Sequence, residues 1–347
     1  MSTMTEVFCG VDTHADTHTA AVINRLGTVI AIDQFPATDA GYRQLTDWIH
    51  DHGSPQLVGV EGTGSYGAGL TRHLLETGCE VREVTRPDRQ HRRRHGKSDP
   101  ADAVAAARAV AAGVATGSPR ALTGPVEAAR NLRVARTSAV QARTRIINQV
   151  HALILTAPNH LREQFRDRPI KQILNSLNGD APSPTEAATP EGGFIIALHA
   201  LAAIYHTLCE QITKLTPALD HAVKTAAPPK LFEICGIGTV VAADLIIAAG
   251  TNPDRVHSEA AFAALCGVSA VDASSGHNQR HRLNRGGDRQ ANQALYRAVI
   301  VSLRHDQTTR DYMTRRLTEG KTKRETIRCL KRFLARRIYR ILTSHTT

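Results

Sequence analysis

The 347-residue chain is long enough for two or three domains, and its 41% apolar content can give each a core. Forty-three Lys and Arg against 32 Asp and Glu leave a net charge of +11 and a pI near 9.7, which favours a polyanionic partner. Six scattered cysteines without a Cys-x-x-Cys pair argue against a zinc knuckle or disulfide framework; the lack of a long apolar run or signal-like N-terminus predicts a cytoplasmic chain with no membrane partner.

Residues 6–14, 17–25 and 27–35 are short and rich in Val, Ile, Thr and Phe, which predicts a three-strand antiparallel meander. A helix over 40–52, capped by Asp39, leads into the apolar strand Gln56 to Glu61. A helix over 68–77 then stops at Gly78, and the strand CEVREV follows. From Arg82 to Lys97 seven Lys or Arg stand against Glu83 and Asp88, in a basic loop. Ser98-Asp99-Pro100, a polar cap before proline, opens the next helix. The element order is βββαβαβα, an α/β fold.

From 126 to 156 the sequence is helical, with Leu132, Ala139, Ile146 and Leu153 seven apart. A second long helix over 194–224 carries Leu198, Leu201, Tyr205, Leu208, Ile212, Leu215 and Leu219 at alternating spacings of three and four. Such a heptad seam fits either an intramolecular helical hairpin or an intermolecular coiled coil. The Pro/Gly/Ser-rich stretch 178–193 between the helices predicts a mobile loop. Three regions are therefore expected, covering 1–125, 126–227 and 228–347.

In the last region LFEICGIGTVVAADLI has a helix-hairpin-helix pattern, in which Gly236 and Gly238 would expose backbone N–H groups to a phosphate. Ser274-Ser275-Gly276 precedes Arg280, Arg282, Arg285 and Arg289. A serine hydroxyl beside metal and arginines could attack phosphorus, because those cations stabilise charge on the phosphoryl oxygens. The tail from Arg310 to Arg340 holds twelve Lys or Arg and three acids, net +9.

The polar residues of the first strand region, VDTHADTHTAAV, call for a reason. Asp12 ends the first predicted strand, Glu61 ends the fourth, and Asp99 and Asp102 share one helix face. If the first and fourth strands are neighbours, the four carboxylates converge and repel unless cations bind between them; hard oxygen ligands of this kind suit Mg2+ or Mn2+. His14 and His18 read as neighbours of the turn. A competing pattern, GTGSYG over residues 62–67 with Glu83 about twenty residues on, spells a dinucleotide-binding fingerprint. Glu61 beside a pyrophosphate and the preceding meander argue against that reading, leaving a turn that lets the helix approach closely.

Taken together, GVDTHADTH, VEGTGSYGAGL, KSDPADA, CGIG, CGVSAVDASSG and RGGDRQANQAL closely resemble the DEDD transposases of bacterial insertion sequences, family one-ten, relatives of the Piv-type DNA invertases. The resemblance covers roughly residues 6–110 and 228–305. It implies a RuvC-like, RNase H-type N-terminal domain with Asp12, Glu61, Asp99 and Asp102 as Mg2+ ligands, and a C-terminal transposase domain whose serine nucleophile maps onto Ser275. It further implies recombination of donor and target DNA guided by a bridge RNA, in a homo-oligomer, dimer or tetramer, where carboxylates of one subunit meet the serine of another. The chain departs from the family pattern at Ser269-Ala270 and at Arg285-Gly-Gly-Asp288, and Ser274 leaves the nucleophile open by one residue. The alternatives are a hydrolytic RuvC-like nuclease, a nicotinamide-dependent oxidoreductase and a non-enzymatic nucleic-acid-binding protein.

Overall fold

Three apolar strands open the chain, β1 (Glu6–Thr13), β2 (Thr17–Asn24) and β3 (Val29–Pro36), as an antiparallel meander. The computed structural model describes residues 5–84, 98–177, 184–269, 271–272, 281–282, 284 and 286–344. After the meander come α1 (Asp39–His52), β4 (Ser54–Glu61), α2 (Ala68–Glu76), β5 (Val81–Val84) and α3 (Asp99–Ala111). The five strands form one mixed sheet in the order β3-β2-β1-β4-β5, with β4 parallel to both β1 and β5. A mixed sheet of this order is consistent with an RNase H-like N-terminal domain. The cap of α1 is Thr38 rather than Asp39: its Oγ1 accepts from the Gly41 N–H at 3.2 Å, and Asp39 sits in the first turn, where an acid suits the helix dipole.

Strand periodicity sorts the side chains to two faces. Val7, Cys9 and Val11 of β1, with Val58 and Val60 of β4, join one core with Leu45 and Ile49 of α1 and Leu70 and Leu74 of α2. The opposite face has Gly10 and Gly59 paired in register, and α3 lies directly on them. A Cβ on Gly10 would stand 2.1 Å from the Ala107 nitrogen and 2.2 Å from the Ala103 oxygen. Ala103, Ala106 and Ala107 are buried and small, so helix and strand meet backbone to backbone.

The chain forms two compact units, Met1–Glu127 with Ala227–Thr347, and Ala128–Ala226. Across the second run most of α4 (Gly124–Thr156), the short α5 (Asn159–Phe165) and α6 (Ile170–Ser176), and α7 (Pro190–Ala226). Ile146, Leu198 and Tyr205 of the heptad seam pack in one core with Phe165 and Ile173. That part of the stripe is therefore satisfied inside the unit, and by the short helices as well as the long ones. The expected loop 178–193 is shorter at its C-terminal side. A 3-10 turn occupies Pro184–Ala188, and α7 begins at Pro190, because proline suits a first helical turn and the Thr189 hydroxyl accepts from the Gly192 N–H at 3.0 Å. Residues 178–183 lie outside the described residues. Although the sequence lacks an unbroken apolar run, α7 is long and apolar enough by length and composition to cross a membrane, and its Leu198, Ala202 and Tyr205 line the unit's core.

The remainder of the first unit is mostly helical: α8 (Thr239–Ala249), α9 (Glu259–Leu265), the two-residue strands β6 (Val271–Asp272) and β7 (His281–Arg282), α10 (Arg289–His305), α11 (Gln307–Thr318) and α12 (Lys323–Thr343). Arg297 of α10 pairs at 2.5 Å with the fully buried Asp244 of α8. Glu259 of α9 receives Arg332 at 2.7 Å and Arg336 at 3.0 Å from α12, and the Lys331 ammonium donates to Asn292 at 2.8 Å. Part of the basic tail thus fastens the fold. Among the six cysteines Cys9 and Cys266 are buried, Cys235 is exposed and the other three are half-buried, all as free thiols.

Candidate active site

Asp12 and Glu61 lie at the C-terminal ends of neighbouring parallel strands. Val11 pairs with Val60, so the next residues in each strand face the same side, in step with Gly10 and Gly59 and toward α3. Both are about 6% exposed. The close seat of α3 on Gly10 brings its first turn, with Asp99 and Asp102, to the end of β1. Ser98 caps that helix, its hydroxyl accepting from the Ala101 N–H, so local sequence fixes where the two aspartates begin.

His14, just beyond β1, completes the cluster. Its Nε2 stands 3.3 Å from Asp12 Oδ2 and 3.2 Å from Asp99 Oδ1. One ligand atom each from Asp12, His14 and Asp99 lies within 4.8 Å of the others. Asp12 Oδ2, His14 Nε2 and Asp102 Oδ2 are buried and lack an aligned hydrogen-bond partner. Burial raises the Asp12 carboxyl above its ordinary range; His14 opposes this, and repulsion from Glu61, Asp102 and Asp99 adds to it. A desolvated carboxylate among three others, with polar atoms left unpaired, is a donor set that fits a divalent cation, with the imidazole as a further ligand.

The other predicted residues divide clearly. His18 is a core residue, fully buried, with its ring stacked on Tyr42 at 5.7 Å between centroids and its Nδ1–H donating to the Thr17 carbonyl. Burial lowers its pKa and keeps it neutral. In the GTGSYG stretch the Ser65 and Gly67 amides both donate to the Gly62 carbonyl, at 2.8 and 3.2 Å, so they are spent on the turn rather than offered to a pyrophosphate. Gly62 has φ +69°, which only glycine adopts easily. The first half of the helix-hairpin-helix pattern is a 3-10 turn over Pro229–Leu231 rather than an α-helix. Gly236 serves packing, since a Cβ there would meet the Ala298 oxygen at 2.5 Å, whereas Gly238 is exposed at the start of α8. Arg289 is exposed at the start of α10, and Arg282 is placed by its backbone in β7. Ser274, Ser275, Arg280 and Arg285 lie outside the described residues, and the two serines fall in the connection between β6 and β7, whose residues Asp272 and His281 pair. His14 belongs to the cluster rather than merely to the turn, and its spacing of two from Asp12 is the one local signal of this in the sequence.

A family model described as "Transposase", for the DEDD group of IS110, matches residues 9–157, and one described as "Transposase IS116/IS110/IS902 family" matches residues 229–314. The chain is 28% identical over 197 residues to the "Mini-circle putative transposase for IS117" of Streptomyces coelicolor. That alignment covers 52% of this chain and 46% of the relative, so the chain spans about half the length of the protein it matches. The two family matches fall on the sheet domain with its acidic cluster and on the helical C-terminal region, and DEDD transposases use divalent metal. The chain belongs to the IS110 family of transposases.

Proposed function

We propose that the protein is a DNA recombinase that cuts and rejoins strands of an insertion element, with Asp12, Glu61, Asp99 and Asp102 holding Mg2+ or Mn2+ and Ser275 as nucleophile. The observation that carries the reading is the gathering of four acids and His14 on one face at the end of the sheet. When bound, a divalent cation would position the scissile phosphate and stabilise charge on its oxygens. The chain's own part is to keep Asp12 and Glu61 dry and fixed by strand register. The Ser275 Oγ forms a bond to phosphorus as the bond to the leaving sugar oxygen breaks. That oxygen departs with a proton as a hydroxyl, and the phosphoserine diester conserves the bond energy for rejoining.

The net charge of +11 supports nucleic acid as the partner, both donor and target DNA and a guide RNA. Arg280, Arg282, Arg285, Arg289 and the Gly238 amide are the proposed backbone contacts of the C-terminal region, and a homo-oligomer would unite serine and carboxylates from different copies. The test is a search for covalent protein–DNA species in denatured reactions. Wild type should yield them in the presence of Mg2+, and Ser275→Ala should not. Cleavage without any covalent species would favour the hydrolytic nuclease, and full recombination by Ser275→Ala would remove the serine from the mechanism.

A further inference from the structure

Next to the acidic cluster, a polar cavity of about 170 Å3 opens between the glycine turn after β4 and the C-terminal helices, within the same compact unit. Thr63, Gly64 and Glu83 line it from the sheet side; Arg120, Arg255 and Asp288 close it. Two glycines adjoin the arginines, and Gly64 makes room for one of them. A Cβ on Gly64 would stand 2.9 Å from Arg120 Nη2. One on Gly250, which ends α8 at φ +75°, would stand 3.4 Å from Arg120 Cγ and 3.5 Å from Arg255 Cδ. The Asn252 side chain donates to the Pro119 carbonyl at 3.1 Å and ties together the segments that carry the two arginines.

The charges in this cavity are poorly matched from within. Arg255 Nη1 reaches Glu83 only at 3.9 Å, and its Nε is buried without a hydrogen-bond partner. Among the described residues Arg120 has no ion pair. The Asp288 carboxylate caps α10, with Oδ1 accepting from the Gln290 and Ala291 amides at 2.8 and 2.9 Å. Burial foremost disfavours the Arg255 charge; Glu83 supports it, nearby Arg120 opposes it and Asp288 supports it. Guanidinium groups in such a setting take a tetrahedral oxyanion well, because their planar forks match phosphate oxygens. The volume holds a phosphate and a few waters, at about 30 Å3 per water, and no base pair.

We propose that this cavity seats one phosphodiester of a nucleic-acid strand between Arg120 and Arg255, beside the strand end that carries Glu61. This rests on the nucleic-acid reading above and adds a contact that holds the strand near the acidic cluster. The test uses the full chain and labelled single-stranded DNA and RNA oligonucleotides, with anisotropy followed across a salt series. Arg120→Gln with Arg255→Gln should lower the slope of log affinity against log salt by about 0.7, the value for one lost single-strand phosphate contact, and weaken binding about fivefold at moderate salt. Arg25→Gln, at a site 84% exposed, should leave the slope unchanged.

Because the double variant could misfold, the wild-type protein is also treated with phenylglyoxal, and modification of Arg120 and Arg255 is read by mass spectrometry. Protection by the DNA or the RNA oligonucleotide supports the site and names which strand occupies it. Protection by inorganic phosphate but by neither oligonucleotide overturns it. An unchanged slope with both arginines unprotected, in a protein that binds the oligonucleotide, sinks the phosphate seat alone; a wild-type chain that binds no oligonucleotide sinks the functional reading and the seat together.

Discussion

Two charged clusters flank the same end of the sheet, one of acids around His14 and one of two arginines set beside Glu83 and Asp288, and they are built differently. The acidic one is assembled from regular elements. Strand register fixes Asp12 beside Glu61, and a capped helix seated on Gly10 delivers Asp99 and Asp102. The arginine cluster is assembled from connections, with Arg120 after α3, where Gly64 leaves it room, and Arg255 in the 3-10 turn at Pro253–Val256. Both contain like charges at close quarters with polar atoms unpaired. The difference implies that geometry is rigid where cations would bind and chemistry would occur, and adjustable where a strand would merely be held.

The largest effect expected from breaking this contrast is on catalysis. Asp12→Asn or Glu61→Gln keeps shape and removes one negative ligand, and either should lower strand cleavage by about a thousandfold, as expected for loss of a group that stabilises transition-state charge. Affinity for an oligonucleotide should change little, since the basic cluster is untouched. Variants that cleave within a few-fold of wild type would show that the acids are structural.

Next comes the scaffold. Gly10→Ala places a methyl 2.1 Å from the Ala107 backbone nitrogen, and backbone cannot rotate away as a side chain can. Forcing α3 from β1 should cost about 3 kcal/mol or more of stability, read from chemical denaturation. Gly64→Ala offers the contrasting case. Its new methyl meets only the end of the Arg120 side chain, so a loss well under 1 kcal/mol is expected. Equal losses at the two sites would erase the proposed distinction between a rigid and an adjustable cluster.

Sequence legibility follows the same division. The meander, β4 and the first turn of α3 were readable because period-two apolar patterning and a Ser-x-Pro helix start are local signals. Asp12 and Glu61 can be named from sequence as acids at strand ends, but their approach depends on β1 pairing with β4, which no local pattern fixes. His14 was harder, since its role depends on Asp99, 85 positions later in the chain. Arg120 and Arg255 carry no local pattern at all; only the folded chain brings them to one cavity. The heptad seam announced an apolar stripe correctly but could not say that α5 and α6 would share in covering it.

A smaller effect is expected at His14. With Nε2 facing two carboxylates, His14→Ala should weaken divalent-cation affinity about tenfold, within the range for ligands and their close supports, and leave the fold intact because the side chain is 39% exposed. Isothermal titration with Mn2+ measures this directly. Unchanged affinity would confine His14 to neutralising the acids in the metal-free protein.

A further small effect concerns what the acids do without a cation. The Asp12 carboxyl is raised in the folded chain by burial and by repulsion from Glu61, Asp102 and Asp99. Across the interval from its ordinary value to the raised one, the folded state therefore holds more protons than the unfolded state, so metal-free stability falls as pH rises through that interval. Asp12→Asn has no proton to lose there. In chelator at neutral pH it should be more stable than wild type by about 1 kcal/mol, and its stability should lack the Asp12 part of the decline. Adding Mg2+ should reverse the ranking, stabilising wild type increasingly as Asp12 deprotonates and leaving the variant nearly unaffected. Parallel pH curves for the two proteins, with the same response to Mg2+, would mean that Asp12 does not sit in a field of like charges and that the cation has no call on it.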